Sequence, residues 1–219
     1  MGKRTNRQTP FPKPITACPV PLTRTRSTSA TILPREFFSR PTLQVSRALL
    51  GKYVVRELGS ERIAGRIIEV EAYIGPKDRA CHASRGRTAR TDVLFGPPGL
   101  AYVYLIYGMH HCLNVVTERD GFPAAILLRA VQVGEELIDG PGRLCRHLQI
   151  DRTHNRIDLT VGEELWFEDR GERIDASGFG RHPRIGVDYA GKWAAKPWRF
   201  RLKGVEGRRS SEKSGRRRQ

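Results

Sequence analysis

Apolar positions along the chain change period several times, and each change marks an element. The run PREFFSRPTLQVSRALLGK (34–52) reads as helix in two pieces. Leu43, Leu49 and Leu50 give the second piece an apolar side, Pro41 suits its start, and Gly51 suits its C-terminal stop. The period then shortens. KYVVRE (52–57) and RIAGRIIEVEAY (62–73) are β-branched and aromatic, with Leu58-Gly59-Ser60 between them as a hairpin turn. AYVYLIYG (101–108), CLNVVT (112–117) and AAILLRAV (124–131) predict three more strands, the last two joined by the turn ERDGFP. GPGRLCRHLQI (140–150) predicts a short helix, and ELWFED, RIGVDYA and PWRFRL predict later strands. Strands mostly adjacent in sequence, with flanking helices, predict an α+β fold: one compact domain on a curved, largely antiparallel β-sheet. No internal repeat is evident.

One strand carries an odd pattern. In IIEVEAY (67–73), alternation sends Ile68, Val70 and Ala72 to one face and Glu69, Glu71 and Tyr73 to the other. Two readings stay open for the second face, a solvated sheet surface or a catalytic wall. Residues 74–100 form a long Gly/Pro/Arg-rich connection, and a loop of that length in a compact domain is usually functional or disordered. It holds His82 with Arg79, Arg85, Arg87 and Arg90, which suit phosphate oxygens or simply solubilise the loop. The strand that follows has three tyrosines, with Tyr102 and Tyr104 on one face and Tyr107 on the other at its end. Each ring can fill core or stack on bases.

Charge sharpens this picture. The 219-residue chain has a net charge of +16. Residues 1–34 hold six Lys/Arg and no acid, and residues 207–219 hold six Lys/Arg and one acid. The two ends therefore account for +11 and the body (35–206) for +5. Both ends are expected to be disordered basic arms around a 35–206 domain, and the balance favours a polyanionic partner such as nucleic acid. No stretch reaches the roughly 20 apolar residues of a bilayer span, and no secretory signal is visible. Cys18, Cys81, Cys112 and Cys145 lack paired spacing and read as reduced thiols. His110-His111-Cys112 and Cys81-His82 lack the ligand spacing of structural zinc, so no metal is expected. The chain contains neither a phosphate-binding glycine loop nor a nucleophile elbow.

Taken in order, SRALLGK, RIAGRIIEVEAYIGPKDRACHASRGRTART, FGPPGLAYVYLIYGMHHCLNVV, PAAILLRA, GPGRLCRHLQI and RIGVDYAGKWAAKPWRF strongly resemble the 3-methyladenine (alkyladenine) DNA glycosylase family that includes the mammalian enzyme. The resemblance covers about residues 37–203 and leaves the ends outside. It implies a base-excision repair enzyme that flips an alkylated or deaminated purine out of duplex DNA, hydrolyses its N-glycosidic bond and leaves an abasic site. By the same resemblance Glu71 is the general base and Arg129 holds the water or a neighbouring phosphate. Tyr73 and His82 sandwich the flipped base, Tyr104 closes the pocket edge, and Asn114 lines it and rejects a guanine amino group. Tyr107 is the wedge that fills the gap in the minor groove. Arg85, Arg87 and Arg90 are expected on phosphates.

Glu69 and Glu71 lie about 6.5–7 Å apart at Cα for a rise of about 3.3 Å per residue, a spacing that invites a two-carboxylate glycosidase. The resemblance gives chemistry to Glu71 alone and leaves Glu69 a structural acid bound to arginine. No lysine is placed as a Schiff-base nucleophile, so no strand-cutting step is expected, nor any cofactor. The expected partner is double-stranded DNA with damaged purines, met by a monomer in a bacterial cytoplasm or a eukaryotic nucleus. The chain departs from the family pattern at Cys81, a modifiable thiol before the histidine, and at the His110-His111 pair. The competing reading is a non-catalytic binder of damaged or single-stranded nucleic acid. Glu71 discriminates, because a carboxylate in an anion-binding cleft has no use to a binder.

Overall fold

A computed structural model describes residues 30–206 and the backbone of 208–209. Most of the two basic arms expected from the sequence lies outside the described residues. Pairing begins at Thr31, where β1 (Thr31–Ile32) adds antiparallel to β8 (Leu165–Asp169). At the other end β11 (Arg208–Arg209) runs parallel to β7 (Glu136–Asp139).

The expected helix in two pieces is α1 (Arg35–Phe38) and α2 (Thr42–Leu49), broken at Pro41, which can start a helix but not continue one. The third helix is α3 (Pro141–His147), with Pro141 at its first position. The sheet is built on β3 (Glu61–Ile74), the longest strand. Its sheet path is β1-β8-β2-β3-β6-β5-β4, with β2 (Tyr53–Leu58), β6 (Ala124–Val133), β5 (His110–Val116) and β4 (Ala101–Ile106). The named pairs are antiparallel except β11 with β7. This is the α+β architecture that the order of elements predicts.

A register irregularity in β3 at Ile67–Val70 decides where the acids go. Before it, β3 pairs with β2 on one edge; beyond it, that edge is taken by β10 (Arg199–Leu202). A bulge of this kind re-aims side chains and lets a strand change partner. Ile67, Ile68 and Val70 all enter one core cluster with Val45 and Leu49 of α2, Leu144 of α3 and Leu148 just past its end. Glu69 and Glu71 fall beside Arg199 and Arg201 of β10. The solvated-face reading is thereby excluded, since Glu69 is 2% exposed and Glu71 has no exposed surface.

RIGVDYA is not a strand. β9 (Phe179–His182) ends before it, and the segment continues as bends into a 3-10 turn at Asp188–Trp193. Gly186 and Gly191 adopt positive φ (74° and 59°), which breaks an extended run, and the Ile185 N–H is spent on a side chain rather than a ladder. The long connection 74–100 is not featureless either, because 3-10 turns form at His82–Arg85 and Asp92–Phe95. It leaves β3 through Gly75, whose φ of 69° favours glycine and where a Cβ would lie 2.7 Å from the Phe122 ring. No described helix is long and apolar enough to cross a membrane.

Candidate active site

Six of the expected site residues converge on one cavity of about 530 Å³, within the range of pockets that enclose small ligands. Tyr73, His82, Tyr104, Tyr107, Asn114 and Arg129 all line it. Glu71 stands behind this wall with no surface open to solvent. Its Oε1 accepts from the Ile185 N–H at 2.8 Å, and its Oε2 accepts from the Tyr73 hydroxyl at 2.8 Å. The Arg129 Nε lies 3.5 Å from Glu71 and 3.7 Å from Glu69, and has no hydrogen-bond partner of its own. Arg129 thus faces two carboxylates from β6, the strand paired with β3. Burial raises the Glu71 pKa above the ordinary carboxylate value; Arg129, the Ile185 N–H and the Tyr73 hydroxyl oppose that rise, and Glu69 adds to it.

Glu69 is held differently. It accepts from Arg199 at 2.7 Å and from Arg201 at a short distance, and Arg201 also reaches Asp139 at 3.2 Å. The arginine partner expected for this acid is therefore a pair. Both acids accept one hydrogen bond on each oxygen, but Glu69 takes them from two cations, whereas Glu71 takes them from neutral donors and keeps the Arg129 cation at 3.5 Å.

The aromatic wall is fixed by β4 and the loop turn. Tyr102 and Tyr104 share a face, with ring centroids 5.2 Å apart, and His82 packs edge-on against Tyr104 at 4.7 Å. The Tyr102 hydroxyl is 2.8 Å from His82 Nδ1, so Tyr102, given no role from the sequence, orients the imidazole. Burial, then Arg90 and Arg85, lower His82 to about 4, so its ring is neutral at pH 7. Asn114 is 3% exposed, and its amide nitrogen donates to the carbonyls of Tyr102 (3.0 Å) and Cys112 (3.4 Å). That leaves its oxygen as the group it can offer the cavity. Cys81 lines the cavity but is 3% exposed, and burial chiefly raises its pKa to about 11, which keeps it a protonated thiol at pH 7. His110 lines the cavity beside Gly142, where a Cβ would meet its ring.

Tyr107 sits just past β4 in the turn to β5, 83% exposed at the cavity mouth. It and Gly108 have successive positive φ values (53° and 70°), and the Met109 N–H closes the turn on Ile106. Arg85, Arg87 and Arg90 do not line the cavity; all three are exposed on its rim loop. Arg87 pairs with Asp92 at 2.6 Å, and Arg90 lies 5.1 Å over the Tyr104 ring. The opposite lip comes from the misread segment, through Ile185, Val187 and Tyr189. Its one sequence signal was membership of RIGVDYAGKWAAKPWRF in the family-like runs.

A family model described as methylpurine-DNA glycosylase (MPG) matches residues 36–206. Three similar proteins share the name "Putative 3-methyladenine DNA glycosylase". That of Methanocella arvoryzae is 52% identical over 187 residues, covering 77% of this chain and 91% of its own length. That of Myxococcus xanthus is 54% identical over 173 residues, covering 77% and 88%. That of a Wolbachia sp. (subsp. Brugia malayi) is 49% identical over 174 residues, covering 78% and 97%. Matched by the family model over residues 36–206 and by relatives at 49–54% identity, this chain belongs to the methylpurine-DNA glycosylase family.

Proposed function

We propose that the protein excises alkylated or deaminated purines, of the 3-methyladenine class and extending to hypoxanthine and ethenoadenine, from double-stranded DNA. The observation that carries this reading is Glu71, a fully buried carboxylate 3.5 Å from Arg129 and directly behind an aromatic cavity. Tyr107 enters the minor groove as the target nucleotide leaves the stack, offsetting an unstacking cost of a few kcal/mol. The base lies among Tyr73, His82 and Tyr104. An electron-poor purine is favoured there, and the neutral His82 does not repel a cationic one. The fixed Asn114 amide crowds a guanine amino group.

A water held at Glu71 and Arg129 attacks the anomeric carbon as the base departs. Glu71 takes its proton and stabilises the oxocarbenium-like charge, and the C–N bonding pair leaves with the purine. The Arg129 Nε, 3.5 Å from Glu71 and without a hydrogen-bond partner, is free to donate to that water. No lysine lines the cavity among the described residues, which supports simple hydrolysis without strand cleavage. Arg85, Arg87 and Arg90 grip phosphates on the rim, and the protein works as a monomer on chromosomal DNA in the cytoplasm.

The test is single-turnover excision from duplexes carrying 3-methyladenine, hypoxanthine or 1,N6-ethenoadenine, with alkali to reveal abasic sites. Wild type should release base, and Glu71→Gln should bind the duplex without release. Tight binding with no excision of any lesion would instead leave a damaged-DNA binder.

A further inference from the structure

Asp78 and Arg184 form an ion pair with no exposed side-chain surface on either partner. The guanidinium meets the carboxylate through two bonds of 2.6 and 2.8 Å. It also donates to the carbonyls of Ala72 (2.8 Å) and Trp193 (3.1 Å). The guanidinium carbon lies over two aromatic rings, 4.7 Å from the Tyr73 centroid and 5.1 Å from that of Trp198. Asp78 in turn accepts the Ile74 and Ala80 N–H groups, both at 3.1 Å, and so fixes the exit of β3. A buried ion pair is a poor device for stability, since well-packed apolar residues often serve as well. Its position suggests another use. Tyr73, under the guanidinium, gives Glu71 one hydrogen bond, and Ile185, the next residue in the chain, gives it the other.

We infer that Arg184, held by Asp78, is a positioning residue that keeps both hydrogen-bond donors on the Glu71 carboxylate and thereby sets its aim and its charge during excision. The inference rests on the glycosylase reading above. The groups facing Glu71 are Arg129 from β6, Cys112 from β5, Glu69 and Tyr73 from its own strand, and Ile185 N–H from the cavity lip. Arg199 of β10 is its register neighbour but bonds Glu69. Of these, Arg184 governs Tyr73 and Ile185. Both donors favour the ionised carboxylate. Loosening them makes Glu71 harder to ionise, so the acid limb of the rate profile moves to higher pH.

The experiment follows release of free methylated purines from methylated duplex DNA under single-turnover conditions between pH 5 and 9. It compares wild type, Arg184→Lys, and the double variant Asp78→Asn/Arg184→Met, which leaves no lone buried charge. The acid limb should rise by about half to one pH unit, making the variants roughly three- to tenfold slower on that limb and closer to wild type at pH 9. Affinity for a duplex with a stable abasic analogue should stay within about twofold, because Arg184 does not line the cavity. Folded variants whose loss is equal at every pH, or whose limb stays at the wild-type position, overturn the inference. So does failure of both variants to fold, which assigns the pair to the fold. Wild-type protein that releases no base removes the glycosylase reading itself, a result distinct from a working wild type with unshifted variants.

Discussion

Tyr107 offers the cleanest separation of folding from function. It is 83% exposed, so its ring returns almost nothing to the core, yet it holds a left-handed backbone (φ 53°). For a residue with a Cβ that conformation costs about 1–2 kcal/mol. A fold that bears this cost without burial gains something outside itself. Tyr107→Ala keeps the backbone cost and removes only exposed surface, so stability should change by less than about 0.5 kcal/mol. In a domain of this size that is at most about 2 °C in melting temperature. A ring stacked into the vacated gap is worth about 1–3 kcal/mol. Single-turnover excision from a paired duplex should therefore fall by about 5- to 150-fold. Placing the same lesion opposite an abasic site lowers the cost of flipping, so the penalty there should shrink several-fold. Equal losses in both duplexes, or a melting temperature down by more than about 5 °C, would show that Tyr107 supports the pocket rather than the flip.

Glu71→Gln should abolish excision and raise the melting temperature at pH 7. Burial holds the folded pKa above the unfolded one, so the stability contributed by protonated Glu71 is present at low pH and lost as pH rises through the folded pKa. A permanently neutral Gln recovers it, and the difference from wild type should vanish near pH 4; a lower melting temperature at pH 7 would contradict the reasoning. The wild-type rate should fall through an acid limb above the ordinary carboxylate range, with no second inflection between pH 5 and 8 from His82, which titrates near 4. Glu69→Gln should lower the acid limb, since the Glu69 charge raises Glu71. It should also cost about 2–4 kcal/mol in denaturant titrations, because Arg199 and Arg201 lose their shared carboxylate.

What the sequence determined was local and periodic. Short-range alternation placed the strands, Pro41 and Gly51 bounded the second helix, and Leu58-Gly59-Ser60 set the hairpin, because these signals act within a few residues. The acids of β3 and the tyrosines of β4 were legible as candidates for the same reason, and the family-like runs joined them into one site. Tertiary structure decided the rest. Whether Glu69 and Glu71 met water or protein depended on a bulge and a change of partner strand, which alternation does not encode. RIGVDYA had the composition of a strand, but the Ile185 N–H was needed by a carboxylate 114 positions earlier, and Gly186 within it and Gly191 just after it turn the backbone at positive φ. Asp78 fell in the long 74–100 connection and Arg184 in the supposed strand RIGVDYA, and neither was given a role. They lie 106 positions apart, and only the folded chain brings them together, buries them and sets the guanidinium over Tyr73, one of the two donors that hold Glu71.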